Sequence, residues 1–219
     1  MIAEKLISNT ISPLFLSDKG KEAITMMNIF HVKHLPVVED HKVLTLISEE
    51  FITQQDMDAP ISDYELAPLT YAVNRKDHLF DIMSKMAENR LTVIPVIDDE
   101  DNYIGLITQE ELLQFYGNSF SFKEPGSIIV LETTKRQYSL AEISSIIEAE
   151  SGAILSSFLT SVENTEKVMI TVKVNKHEIS RITSALERYE YTIKATYTEQ
   201  EYIDTLKDRY DLLMNYLDV

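Results

Sequence analysis

The chain contains no cysteine. That removes disulfide frameworks and thiolate metal sites, and it fits a reducing compartment. Nowhere do ~20 apolar residues run together, the length a helix needs to cross a bilayer. The amino terminus, MIAEKLISNT, carries Glu4 and lacks the uninterrupted apolar stretch of a secretory leader. Basic residues are scarce, with 20 Lys and Arg against 36 Asp and Glu and a formal net charge of −16. Repulsion of that sign opposes nucleic acid and anionic membrane as partners. No tract rich in proline, glycine or serine interrupts the chain, so it is expected to fold throughout. These absences predict a cytoplasmic protein with neither a nucleic-acid nor a membrane partner.

What is present is enough apolar residue for a core, 44% of 219 residues, at a length that suggests two domains. One stretch is said twice. LPVVEDHKVLTLISEEF, from Leu35 to Phe51, returns as IPVIDDEDNYIGLITQEE from Ile94 to Glu111, and aligning Pro36 with Pro95 gives an offset of 59 residues. The same offset carries Gly20, Ala23, Ile24 and Met27 onto Leu79, Ile82, Met83 and Met86, an i, i+3, i+4, i+7 stripe in each copy and hence an amphipathic helix. KVLTLIS and NYIGLIT read as strands after a polar turn, one residue longer in the second copy. Ser48 and Thr108 are placed to cap a closing helix through their hydroxyls. Each copy is thus expected to run strand, helix, strand, strand, helix. A unit of ~55 to 60 residues buries too little surface to stand comfortably alone, whereas two can bury their sheets against each other and leave clefts between them.

This pattern of helix, PV-acidic-acidic turn, strand and closing helix resembles the cystathionine β-synthase (CBS) domain, a module that occurs in tandem pairs. The resemblance covers about residues 8 to 116 and implies a small-molecule effector, with AMP, ATP and S-adenosylmethionine as candidates and no cofactor required. It places an adenine against VKHLP and LTVIP, that is His34, Leu35 and Pro36 in one copy and Thr92, Val93, Ile94 and Pro95 in the other. It gives phosphate and ribose to Ser48, Thr108 and Glu111. Where the family carries Asp three positions after the Ser or Thr, the first copy has Phe51 and the second has Glu111, whose extra methylene adds roughly 1.5 Å of reach. Lys33, His34, Arg75, Lys76 and Arg90 are the nearby groups that could offset phosphate. Plain helix capping also accounts for Ser48 and Thr108, and a first-turn carboxylate for Glu111. His31, His34 and His41 lack a matching carboxylate or cysteine set, so no metal is expected.

After Leu113 the pattern resets through QFYGNSFSFKEPGS. SIIVLET reads as a strand, and Ser139 with Glu142 as a capping box stapled by Tyr138 and Ile143, opening a helix to about Glu150. GAILSSFLTS and KVMITVKV read as strands, the latter with Val168, Ile170, Val172 and Val174 inward. A helix follows from about His177, then a strand with Tyr191, Ile193, Ala195 and Tyr197 on one face. This βαββαβ order resembles the ACT domain, a ferredoxin-like regulatory module. From Glu199, Ile203, Leu206, Tyr210, Leu213 and Leu217, spaced 3-4-3-4, predict a helix packed on the protein itself, with a dimer zipper as the alternative.

The expected architecture is therefore α+β: CBS repeats over 1–58 and 59–118, an ACT-like domain over 126–198, and a C-terminal helix over 199–219. As a whole it resembles the acetoin-utilisation (AcuB-like) family. No nucleophile with its base and no phosphate-cradling glycine loop is evident, so the expected role is a non-enzymatic sensor, a homodimer in the family's manner with a metabolic enzyme or regulator as further partner. The competing expectation is a ligand-free scaffold.

Overall fold

The structure, a computed structural model, describes residues 1–8, 10–119 and 121–198, so the helix expected over 199–219 lies outside the described residues. The fold is mixed α+β and divides into two compact units, Met1–Tyr116 and Gly117–Val219.

The first unit repeats itself at the spacing read from the sequence. Helices α1 (Gly20–Ile29) and α3 (Leu79–Glu88) begin and end 59 residues apart. Ala23 and Met27 face inward on one, Ile82 and Met86 on the other. Both stop in the same way. His31 and Arg90 each take a left-handed φ of 53°, and the N–H groups of Val32 and Leu91 return to the carbonyls of Met27 and Met86. This closure ordinarily favours glycine. Each helix then feeds an antiparallel hairpin, β1 (His34–Glu39) with β2 (Lys42–Ser48) and β4 (Val93–Ile97) with β5 (Tyr103–Thr108). Even the register shifts recur, at Val37/Val38 and Val96/Ile97.

The opening strands differ from expectation. In the second copy β3 (Val73–Asn74) is two residues long and pairs parallel with Val96 and Ile97. In the first copy the strand shrinks to one bridge, Leu14 with Val37. There Leu14 alone faces β1, its N–H donating to the Pro36 carbonyl at 2.9 Å and its carbonyl accepting from the Val38 N–H at 2.8 Å, while in the second copy the Asn74 N–H goes to the Asp77 carboxylate. The closing helices differ as well. α2 (Glu49–Thr53) has five residues against eleven in α4 (Gln109–Ser119). After Ile52 the sequence TQQDMD offers no apolar stripe to bury, whereas α4 carries Leu112, Phe115 and Tyr116 onto its core.

Two cores result, and each borrows from the other repeat. Val93 and Leu106 lie in the core built on Leu14, Met27, Leu35 and Ile52. Leu46 packs against the core built on Val73, Ile82, Ile94 and Ile107. Ala3 and Leu6 also belong to the second core, held by the Ala3 N–H donating to the Asp77 carbonyl at 3.0 Å. Neither repeat closes its apolar face alone, which is the physical basis of the duplication.

In the second unit the order is β6 (Ser127–Thr134), α5 (Leu140–Ala149), β7 (Ile154–Ser161), β8 (Lys167–Val174), α6 (Ser180–Arg188) and β9 (Thr192–Tyr197). The sheet runs β7-β8-β6-β9 with every pair antiparallel. Val168, Ile170, Val172 and Val174 are buried together with Ile143, Ile147 and Ile182 of the helices. Three details correct the sequence reading. The Ser139 hydroxyl accepts from the Glu142 N–H at 3.2 Å, yet the Glu142 carboxylate accepts from the Tyr191 hydroxyl at 2.7 Å rather than closing the box. α6 starts at Ser180, not His177, because the Glu178 carboxylate takes the Ser180 N–H. Tyr197 is 59% exposed, so the inward face of β9 ends before it.

Candidate functional site

Where the second closing helix begins, the chain assembles a pocket from both repeats. The carbonyl of Thr92, just ahead of β4, accepts from the Gln109 N–H at 3.1 Å, and the Gln109 side chain donates to the Leu91 carbonyl at 3.1 Å. These bonds fix the first turn of α4 beside the entry to β4. Thr108 is buried and caps the helix. Its hydroxyl oxygen accepts from the Glu111 N–H at 3.3 Å, while the Glu111 carboxylate accepts from the Thr108 N–H at 3.1 Å and from the Thr108 hydroxyl. The capping box that the sequence suggested for Ser139 is completed here instead.

From the first repeat the exit of α1, Ile29 to Val32, closes over this turn together with Thr10 and Ile11. The resulting cavity, open to solvent on one side, has a volume of about 390 Å³. Its wall is half apolar, with Ile11, Phe30 and Val32 inside, and Ile29 and Leu113 exposed by 63% and 74% at the rim. The polar part is Thr10, His31, Thr92, Thr108, Gln109, Glu110 and Glu111.

Of the residues picked out by sequence, Thr92, Thr108 and Glu111 line this cavity. Leu35, Pro36, Val93, Ile94 and Pro95 are buried as strand residues of β1 and β4. Ser48 caps α2, accepting from the Phe51 N–H at 3.1 Å, and Phe51 meets Tyr64 edge-on at 6.2 Å in the first core. His34 is half-buried at the seam between repeats. Its Nδ1 accepts from the Thr92 N–H at 3.3 Å and lies 3.0 Å from the Thr92 hydroxyl, which itself accepts from the Lys33 N–H at 2.8 Å. Burial first, and then the Lys33 ammonium, holds the His34 imidazole below its ordinary pKa.

None of the basic residues named as phosphate partners lines this cavity. Arg75 pairs with Glu4, and Lys76 pairs with Asp99 at 2.5 Å. Lys33 and Arg90 are absent from the described cavity wall. His31 does reach the wall, whereas no group of three metal-ligating side chains occurs among the described residues. The sequence reading missed Thr10, Ile11, Ile29 to Val32, Glu110 and Leu113. A left-handed turn without glycine at His31 gave no composition signal for the first repeat's contribution.

Residues 66–118 match the family model of the CBS domain. Among solved structures, a CBS domain pair/ACT domain protein from Thermotoga maritima is 16% identical, with a TM-score of 0.47, covering 52% of this chain and 94% of that one. A protein assigned to acetoin utilization (AcuB) from Vibrio cholerae is similar at 17% identity and a TM-score of 0.48, covering 56% of this chain and 95% of its own. A CBS domain pair in complex with 5′-methylthioadenosine and S-adenosyl-L-methionine is similar at 19% identity and a TM-score of 0.43, covering 53% and 96%. No helix among the described residues is long and apolar enough to cross a membrane.

Proposed function

We propose that the chain is a non-enzymatic regulatory protein that binds a small adenosyl compound in the cavity of its first unit. Occupancy is read out through dimerisation or through the ACT-like second unit. The observation that carries this reading is the cavity itself. At about 390 Å³ it lies in the range of small-molecule sites, and its wall is shared between the two repeats. A ligand there touches the exit of α1 and the first turn of α4 at once, so it binds one packing of the repeats more tightly than another. A differential of ~1 to 3 kcal/mol is enough for regulation. Glu111 keeps one carboxylate oxygen, Oε1, without a hydrogen bond among the described residues, available for a ribose hydroxyl.

Calorimetric titration of the intact chain with AMP, ATP and S-adenosylmethionine tests the reading. Saturable heat from at least one of them, lost in Glu111→Ala, is the expected result. Silence across all three refutes it in favour of the second reading, a ligand-free scaffold for a metabolic partner. Two observations favour that alternative: the Glu111 carboxylate is already engaged by Thr108, and Phe51 is committed to the first core.

A further inference from the structure

Taking that ligand-binding reading as its basis, we infer that the cavity selects by charge, admitting uncharged or cationic nucleoside-like molecules and turning phosphorylated ones away. The charged side chains on its described wall are Glu110 and Glu111, with His31 as the one imidazole, and neither Lys nor Arg is among the lining residues. A sphere of the cavity's volume is about 9 Å across. That is close to the ~8 Å over which salt screens charge, so the two carboxylates act on the part of a ligand seated against the first turn of α4.

The start of α4 supplies the opposing influence. A helix N-terminus carries roughly half a positive charge and by itself would attract phosphate. Here the Glu111 N–H is taken by the Thr108 hydroxyl oxygen, and the Thr108 N–H by the Glu111 carboxylate. On the wall itself two full negative charges outweigh half a positive one; the nearest ammonium, Lys33, lies behind Thr92 at the His34 seam and offsets them in part. Ile29 and Leu113 at the rim, with Ile11 and Phe30 inside, provide apolar surface for a planar ring. The matching ligand therefore joins a flat apolar group to hydroxyls, and wherever it carries charge that charge is positive.

The probes are 5′-methylthioadenosine, which is uncharged; S-adenosylmethionine, which carries a sulfonium; and the anions AMP and ATP. Each is titrated calorimetrically into the intact chain and into the double variant Glu110→Gln, Glu111→Gln. Glutamine serves in a capping box as glutamate does, so the first turn of α4 keeps its closure. Charge repulsion of this kind costs a factor of about three to five per carboxylate at one screening length, so AMP is expected to bind about tenfold or more weaker than 5′-methylthioadenosine. The gap is expected to narrow to about threefold in the double variant and with added salt. AMP binding as tightly as 5′-methylthioadenosine to the unaltered chain overturns the charge selection and leaves the ligand reading standing. A gap that persists undiminished in the double variant overturns its assignment to these carboxylates. Silence from all four probes overturns the ligand reading itself.

Discussion

Replacing Thr92 by valine probes the seam between the repeats with almost no change of shape. The Thr92 hydroxyl accepts the Lys33 N–H at 2.8 Å and lies 3.0 Å from Nδ1 of His34. With Nδ1 of His34 accepting the Thr92 N–H, the Thr92 hydroxyl donates to that nitrogen as well. Valine removes both bonds and leaves a backbone N–H of the first repeat unpaired, while the Thr92 N–H still reaches His34 at 3.3 Å. A net hydrogen bond contributes ~0.5 to 1.5 kcal/mol, and the site is half-buried, so water recovers part of the loss. The expected destabilisation is ~1 to 2 kcal/mol, a fall in melting temperature of about 4 to 8 °C for a unit of this size. Urea unfolding at neutral pH followed by circular dichroism measures it. A midpoint unchanged to within ~0.3 kcal/mol, beside a control of similar exposure, would show that the repeats are not tied at Thr92.

Stability should also fall below about pH 6.5, because burial and Lys33 depress the folded-state pKa of His34 from its ordinary 6.5. The unfolded chain takes up the proton first, so the contribution is whole above that pH and shrinks as pH drops through it. His34→Asn, which keeps an acceptor near Nδ1, should flatten this part of a stability–pH curve; an identical slope contradicts the assignment. In the second unit burial and Glu142 push the Tyr191 hydroxyl up to about 12. Stability should then decline as pH rises from about 10 towards 12, and Tyr191→Phe should lessen that decline in alkaline unfolding, the remainder coming from Tyr64 and Tyr103, which burial also raises. Ile107→Ala empties a site with no exposure in the second repeat's core and should cost ~2 to 5 kcal/mol by chemical denaturation. A cost below ~1 kcal/mol would mean that this core is not packed as described.

The repeat was legible because hydrophobic periodicity and a shared proline recur at one offset, and the structure keeps that offset down to the register shifts after Val37 and Val96. The alternation in β8 was equally plain, since every second residue from Val168 to Val174 is buried. The opening strands were overread. Their pattern was apolar, but among the described residues only Leu14 in the first copy and Val73 to Arg75 in the second pair with the neighbouring strand. Capping was assigned to the right residue types with the wrong closure. Glu142 had a stronger partner in Tyr191, far along the chain, while Glu111 had none nearer than Thr108. Of the residues named from the family resemblance, Thr92, Thr108 and Glu111 line the cavity, because they sit at the entry to β4 and the first turn of α4. The wall supplied by Ile29 to Val32 is contributed by a turn whose left-handed residue is His31, and only the path of the backbone reveals it.

The most direct test of the central claim is a crystal structure of the intact chain grown with 5′-methylthioadenosine. The account predicts ligand density enclosed between the exit of α1 and the first turn of α4, with a ribose hydroxyl within hydrogen-bond distance of Glu111. A cavity left without ligand at saturating concentration, or density seated at some other place on the chain, would contradict it.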